Sequence, residues 1–150
     1  YMGSDSVEPF LTHSNKWAVV LALTSNEGAK DFQFLSSEGQ VPLFESVVRK
    51  CLNWGSSGNL MFVVGATRSQ DIAKIRALAP DHFFLVPGVG AQGGSLDEVV
   101  KYGMNSDCGL LVNSSRGIIY SDSSENFAVS AKKEASKIQS AMELHLRRFH

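Results

Sequence analysis

Cysteine is scarce in this chain: Cys51 and Cys108 are the two present, without metal-type spacing and without the makings of a disulfide framework. That excludes a disulfide-stapled scaffold and a cysteine zinc site, and makes a reduced, cytoplasmic compartment the natural expectation. Charge of one sign is lacking too. Fourteen basic against fifteen acidic residues leave a net charge of −1, so no field draws in nucleic acid or an anionic membrane. The longest apolar runs, "WAVVLAL" and "FFLVPGVG", are far too short to span a bilayer, so a soluble chain with no membrane partner is expected. Gly-x-x-x-x-Gly-Lys-Ser/Thr is absent, which removes a P-loop. Ser25, Ser114 and Ser115 do not lie in Gly-x-Ser-x-Gly, which removes a nucleophile elbow. His13, His82, His145 and His150 show no ligand-like pairing and are expected at the surface or at helix ends.

What is present is a regular alternation of apolar runs and helical patterns in 150 residues, 43% of them apolar, enough for one globular domain with a real core or for part of a larger one. Continuous β-rich runs at 17–23, 60–64, 83–86 and 109–112 suit strands buried on both faces of a parallel sheet. Each is followed by helical periodicity. Leu43, Phe44, Val47, Val48 and Cys51 share one face, with Pro42 in a first turn. Thr67-x-x-Gln70 and Ser95-x-x-Glu98 read as capping boxes for helices at 69–79 and 96–103, the first stopping before Pro80. Phe127, Ala131, Ile138, Met142, Leu146 and Phe149 form the expected core stripe of a long last helix, with Lys132, Lys133, Glu134 and Lys137 as its solvated face. Residues 1–11 fit the end of a preceding helix, and 27–40 is a long polar connection, either a lid or an irregular insertion. The opening "YMGSDSVEPF" has no initiator methionine at position 1, so further residues upstream are expected. Four βα units in a row imply right-handed crossovers and a parallel sheet, too few to close an eight-stranded barrel but enough for half of one.

In parallel α/β folds the ligand sits at the carboxyl ends of the strands. Here those ends read Thr24-Ser25-Asn26, Gly65-Ala66-Thr67, "PGVGAQGG" at 87–94 and Asn113-Ser114-Ser115-Arg116. Glycine turns and helix starts offer backbone N–H groups to an anion, and Arg116 adds a planar fork suited to phosphate. Arg68 is the other cation near a strand end; it is expected to face solvent at a helix start. Gly88-x-Gly90-x-x-Gly93 has the form of a dinucleotide fingerprint, but the next strand end carries no carboxylate for a ribose. Arg116 there suits a 2′-phosphate, so an NADP-dependent oxidoreductase stays open as an alternative.

"PGVGAQGG" followed by "LLVNSSRGIIY" at 110–120, together with Thr-Ser-Asn and Gly-Ala-Thr in the same order and spacing, resembles orotidine 5′-phosphate decarboxylase of the bacterial-type branch. The likeness covers essentially the whole chain. It implies a (β/α)8 TIM barrel, of which residues 1–150 form a single domain, the C-terminal half with strands five to eight. It also implies a homodimeric, cofactor-free and metal-free lyase of pyrimidine biosynthesis that converts orotidine 5′-monophosphate to UMP and CO2. Carried onto this sequence, the resemblance assigns Ser25 to the pyrimidine, Pro87 to the pocket beside the base, and Gln92 and Arg116 to the 5′-phosphate. Backbone N–H groups around Ser115 and Arg116 would assist, and the glycines would cradle a mononucleotide phosphate. The family's Asp-x-Lys-x-x-Asp motif, whose lysine protonates C6, occurs nowhere in these 150 residues. The resemblance therefore assigns no catalytic residue to this chain, and a non-catalytic phosphate-binding half-barrel is the second alternative.

Overall fold

The computed structural model describes residues 1–36, 40–90 and 93–149. Its centre is a four-stranded parallel sheet in the order β1-β2-β3-β4, built from Ala18–Leu23, Leu60–Val64, Phe84–Pro87 and Leu110–Asn113. The strands lie within one residue of the sequence expectation at every end. Between them run α3 (Leu43–Cys51), α4 (Ser69–Leu78) and α5 (Leu96–Gly103), after the short α1 (Glu8–Leu11) and α2 (Ala29–Phe32). The five-residue α6 (Ser115–Ile119) and the 23-residue α7 (Phe127–Phe149) follow β4. Residues 4–6 form a single 3-10 turn, so the start of the chain holds a turn and a one-turn helix.

The helices cover one face of the sheet. Phe44, Val48, Ile72, Ile75 and Val99 from α3, α4 and α5 are fully buried, as are Leu60, Phe62, Val64, Phe84 and Val86 from the strands. Pairing places Val20, Phe62, Phe84 and Leu110 in one cross-sheet row facing that layer. The neighbouring row, Leu21, Val63, Leu85 and Leu111, points the other way and is only partly covered: Leu21 is 41% and Leu111 53% exposed, with Val63 and Leu85 half-buried between them. Burial on both faces, expected from the continuous apolar runs, is therefore not what this chain achieves by itself. The runs have the composition of a two-sided core, and helices are present on one side alone.

Other expectations also shift. Thr67 does not cap α4, whose first-turn boundary falls at Arg68 without a side-chain cap, whereas the Glu98 amide donates to Ser95 Oγ at 3.4 Å, half of the second box. Along α7 no described residue is buried. Ala131, Ile138, Met142 and Leu146 are half-covered, while Phe127 and Phe149 stand mostly in solvent. Met142 and Leu146 touch the core, and His145 Nε2 meets Asp97 Oδ1 of α5 at 2.9 Å. No helix among the described residues is long and apolar enough to cross a membrane.

The amino end of the sheet is pinned by Arg76. Its guanidinium lies 3.7 Å from the Phe84 ring centroid and donates to the carbonyls of Ala79, Pro80, His82, Gly103 and Gly109. Burial pushes its pKa down to about 10, so it stays charged at neutral pH and is balanced by carbonyl dipoles. His82, expected at the surface or at a helix end, lies four residues past the end of α4 and is buried beside Phe62, with neither ring nitrogen bonded.

Candidate functional site

At the carboxyl end of the sheet the ladder continues into the loops. Gly65 N donates to Leu23 O at 2.9 Å, Ala66 N to Pro87 O at 2.9 Å, and Gly88 N to Asn113 O at 3.2 Å. The loops also pack backbone against backbone. A Cβ on Gly65 would overlap Ser25 Oγ, and one on Gly94 would lie 2.5 Å from Ala66 Cβ. Small residues at these strand ends are thus required by close approach.

The loop after β3 depends on glycine for its shape. Gly88, Gly90 and Gly93 have φ of 98°, 78° and 84°, values that L side chains rarely adopt. The amides of its described glycines are spent inside the loop and on its neighbour. Gly90 N donates to Gly94 O, Gly93 N to Gly90 O and Gly94 N to Gly88 O, in addition to the Gly88 bond already named. The described glycines therefore shape the wall beside the cavity, and their own amides are paired with backbone carbonyls rather than free, unlike the expectation of a row of open N–H groups.

Beside that wall a cavity of about 100 Å³ is lined by Pro87, Gly88, Val89, Asn113, Ser114, Ser115 and Arg116. Buried Ser114 donates its hydroxyl to Val89 O at 2.9 Å and locks the loop after β4 onto the loop after β3, while Ser115 Oγ bonds Asn113 Oδ1 at 3.0 Å. Arg116 is exposed, and among the described residues no carboxylate pairs with it. The start of α6 contributes amides that have no partner within the helix. The volume is well below the roughly 300 Å³ at which pockets begin to enclose drug-sized ligands. It suits a small anionic group, with any larger attached moiety lying outside. Wider clefts of about 230 Å³ beside α3 and about 340 Å³ near Asn15 and Trp17 lie away from these strand ends.

Of the expected site residues, the structure brings together Pro87, Ser115 and Arg116. Gln92 lies outside the described residues. Ser25 is not in the cavity: it follows β1, at the opposite edge of the sheet from β4, and its Oγ is buried against Gly65 with no hydrogen-bond partner. Arg68, expected to face solvent at a helix start, is instead half-buried. Its Nη2 donates to Asn26 O at 3.3 Å, its guanidinium carbon sits 5.2 Å from the Phe34 ring centroid, and its Nε is buried without a partner. Asn113 and Ser114 also line the cavity, although the sequence assigns them no role; their place in the polar "NSSR" run at a strand end is the available signal. Among the described residues, no group of three or more His, Cys, Asp or Glu could hold a metal ion.

A parallel sheet with alternating helices and a small anion-sized cavity at its carboxyl edge defines the class, an α/β fragment of TIM-barrel type. No family model matches the chain. Individual proteins do. It is 57% identical over 143 residues to orotidine 5′-phosphate decarboxylase of Phocaeicola vulgatus, covering 95% of this chain and 53% of that protein. It is 58% identical over 146 residues to the enzyme of the same name from Christiangramia forsetii, covering 96% and 53%. Among solved structures, the OMP decarboxylase of Leishmania donovani superposes with a TM-score of 0.76 at 37% identity, covering 93% of this chain and 53% of that one. The chain is a partial homologue of orotidine 5′-phosphate decarboxylase, and it spans about half the length of the curated relatives it matches.

Proposed function

We propose that this chain is the phosphate-gripping portion of an orotidine 5′-phosphate decarboxylase, the C-terminal half of its barrel with residues 1–150 as part of one domain. The complete enzyme would convert orotidine 5′-monophosphate to UMP and CO2 in pyrimidine biosynthesis, as a homodimer and without a cofactor. The observation that carries this reading is the cavity between the β3 and β4 loops, where Arg116 stands at the rim of an anion-sized space. In the proposed complex Arg116, the α6 amides and Gln92 hold the 5′-phosphate, Pro87 flanks the base, and Ser25 bonds the pyrimidine. Such remote binding lowers the barrier when it is realised more fully in the transition state than in the ground state. Proton delivery to C6 falls to residues outside this chain.

Calorimetric titration with UMP, uridine and NADP tests the reading. UMP binding well above uridine supports it; NADP binding above UMP supports the oxidoreductase instead. The 150-residue chain alone is expected to show no decay of orotate absorbance with orotidine 5′-monophosphate, because it carries no Asp-x-Lys-x-x-Asp. Turnover near that of an ordinary enzyme would overturn the assignment of chemistry to other residues. The absent motif also favours a second reading, a phosphate-binding half-barrel without catalysis of its own. The two part on whether the gene encodes that motif upstream.

A further inference from the structure

Arg68 occupies a junction that the reading above does not use. It stands just beyond β2, between the loop after β1 and the segment leading to α3. One arm of its guanidinium reaches the Asn26 carbonyl and its face lies over Phe34, which in turn meets buried Phe44 edge-on at 5.4 Å. The same two segments are joined a second time. Gln33 Oε1 accepts from the Thr24 amide and Gln33 Nε2 donates to Thr24 Oγ1, both at 2.9 Å, while Thr24 Oγ1 donates to Asn26 Oδ1 at 2.6 Å. Ser25, between these anchored residues, keeps its hydroxyl buried and unbonded, as Arg68 keeps its Nε. A buried donor without a partner is a cost that most native groups avoid, so two in adjoining loops call for a reason. Small surface stacking would not leave the arginine Nε enclosed.

We infer that Arg68 is a positioning residue: it holds the Thr24–Asn26 loop against the Gln33–Phe34 segment and thereby fixes where the Ser25 hydroxyl sits at the carboxyl end of the sheet. The consequence for ligand binding rests on the proposed function, in which Ser25 engages the pyrimidine. The positioning itself does not. Charge-assisted bonds of this kind hold a loop more firmly than neutral ones, and the cation over an aromatic face adds to that hold. Removing the guanidinium while keeping the aliphatic stem should release one loop and leave the opposite edge of the sheet untouched.

Hydrogen exchange read by mass spectrometry on the full 150-residue chain tests this in Arg68→Met. Exchange at Thr24–Asn26 and Gln33 is expected to rise about tenfold or more, given the strength of hydrogen bonds to charged groups, with the Gly88 amide unchanged. No rise at Thr24–Asn26 overturns the inference. Should Arg68→Met exchange faster everywhere, Arg68→Lys decides: it keeps a cation over Phe34 but loses the fork, so a smaller rise confined to the same loop is expected, and no local rise overturns the inference. Titration with UMP and ribose 5-phosphate then separates the two claims. Arg68→Met should weaken UMP about tenfold and leave ribose 5-phosphate unchanged; equal losses count against a role through Ser25. A wild-type chain that binds neither ligand counts against the proposed function, while the exchange result still judges Arg68.

Discussion

At the scale of single residues, two side chains make opposite demands on their surroundings. Arg116 is exposed at a cavity rim, and a bidentate, charge-assisted contact to phosphate contributes roughly 1.5–3 kcal/mol. Arg116→Ala should therefore weaken UMP by about ten- to a hundredfold and leave uridine almost unaffected, measured by calorimetry. An arginine that merely finishes a strand end predicts small, equal losses for both ligands together with lower stability. His82 is the reverse case. Burial, with a further push from the Arg76 charge and partly offset by Asp81, holds its pKa below the ordinary value. Above about pH 6.5 both folded and unfolded chains keep the ring neutral, so His82 has no effect there. As pH falls through that value the unfolded chain takes up a proton that the folded one refuses, and stability drops by up to about 1.4 kcal/mol per pH unit until the folded pKa is reached. Urea midpoints at pH 7.5 and 5.5, at one fixed protein concentration, should show this loss in the wild type and a smaller one in His82→Leu. An identical acid response in both would remove His82 as its source.

Among the elements, the strand-end loops carry the tightest constraint. Gly94 must approach Ala66 and the Gly88 carbonyl so closely that a methyl group would lie 2.5 and 2.8 Å from them. Gly94→Ala is expected to cost about 1–3 kcal/mol, the range for overpacked sites, and to weaken UMP as the cavity wall shifts. Gly58→Ala, where the added carbon would meet Ser56 Oγ at an ordinary 3.6 Å, should change the chemical-unfolding midpoint little. The four strands and α3, α4, α5 and α7 were legible because their apolar periodicity runs for several residues. The cavity's position was legible because glycine and small polar residues mark strand ends. α6 was not: five residues that include Gly117, Ile118 and Ile119 have low helix propensity and no room for a period. Arg76 and Arg68 left no pattern either, since their partners are backbone carbonyls and rings at irregular spacings, from Ala79 three residues on to Gly109 in another unit for Arg76, and from Asn26 and Phe34 for Arg68. The Gly-rich loop was read correctly as a special backbone and incorrectly as a set of free donors, because composition does not reveal where an amide bond is spent.

For the whole molecule, the decisive feature is the uncovered face of the sheet. Val19, Leu21 and Leu111 are 48%, 41% and 53% exposed, in a contiguous register with half-covered Val63 and Leu85. The outer strands β1 and β4 contain no charged residue and no proline, the devices by which natural edges resist pairing. On the proposed reading, the remaining half of a barrel covers this face and satisfies both edges. The isolated chain has neither cover, and water contact with such a patch favours any partner that removes it. We therefore expect the 150-residue chain to associate at micromolar concentration, seen as a sedimentation coefficient that rises with loading. Leu21→Lys and Leu111→Lys together should reduce that association, because both side chains stand on the open face and add charge where the helices make no contact. Their effect on the helix-covered core should be slight, since Phe62, Phe84 and Val86 lie on the other side. A wild-type chain that sediments as a concentration-independent monomer and unfolds cooperatively would show that the exposed sheet is stable in water by itself. In that event the reading of the chain as an incomplete barrel would lose its physical support.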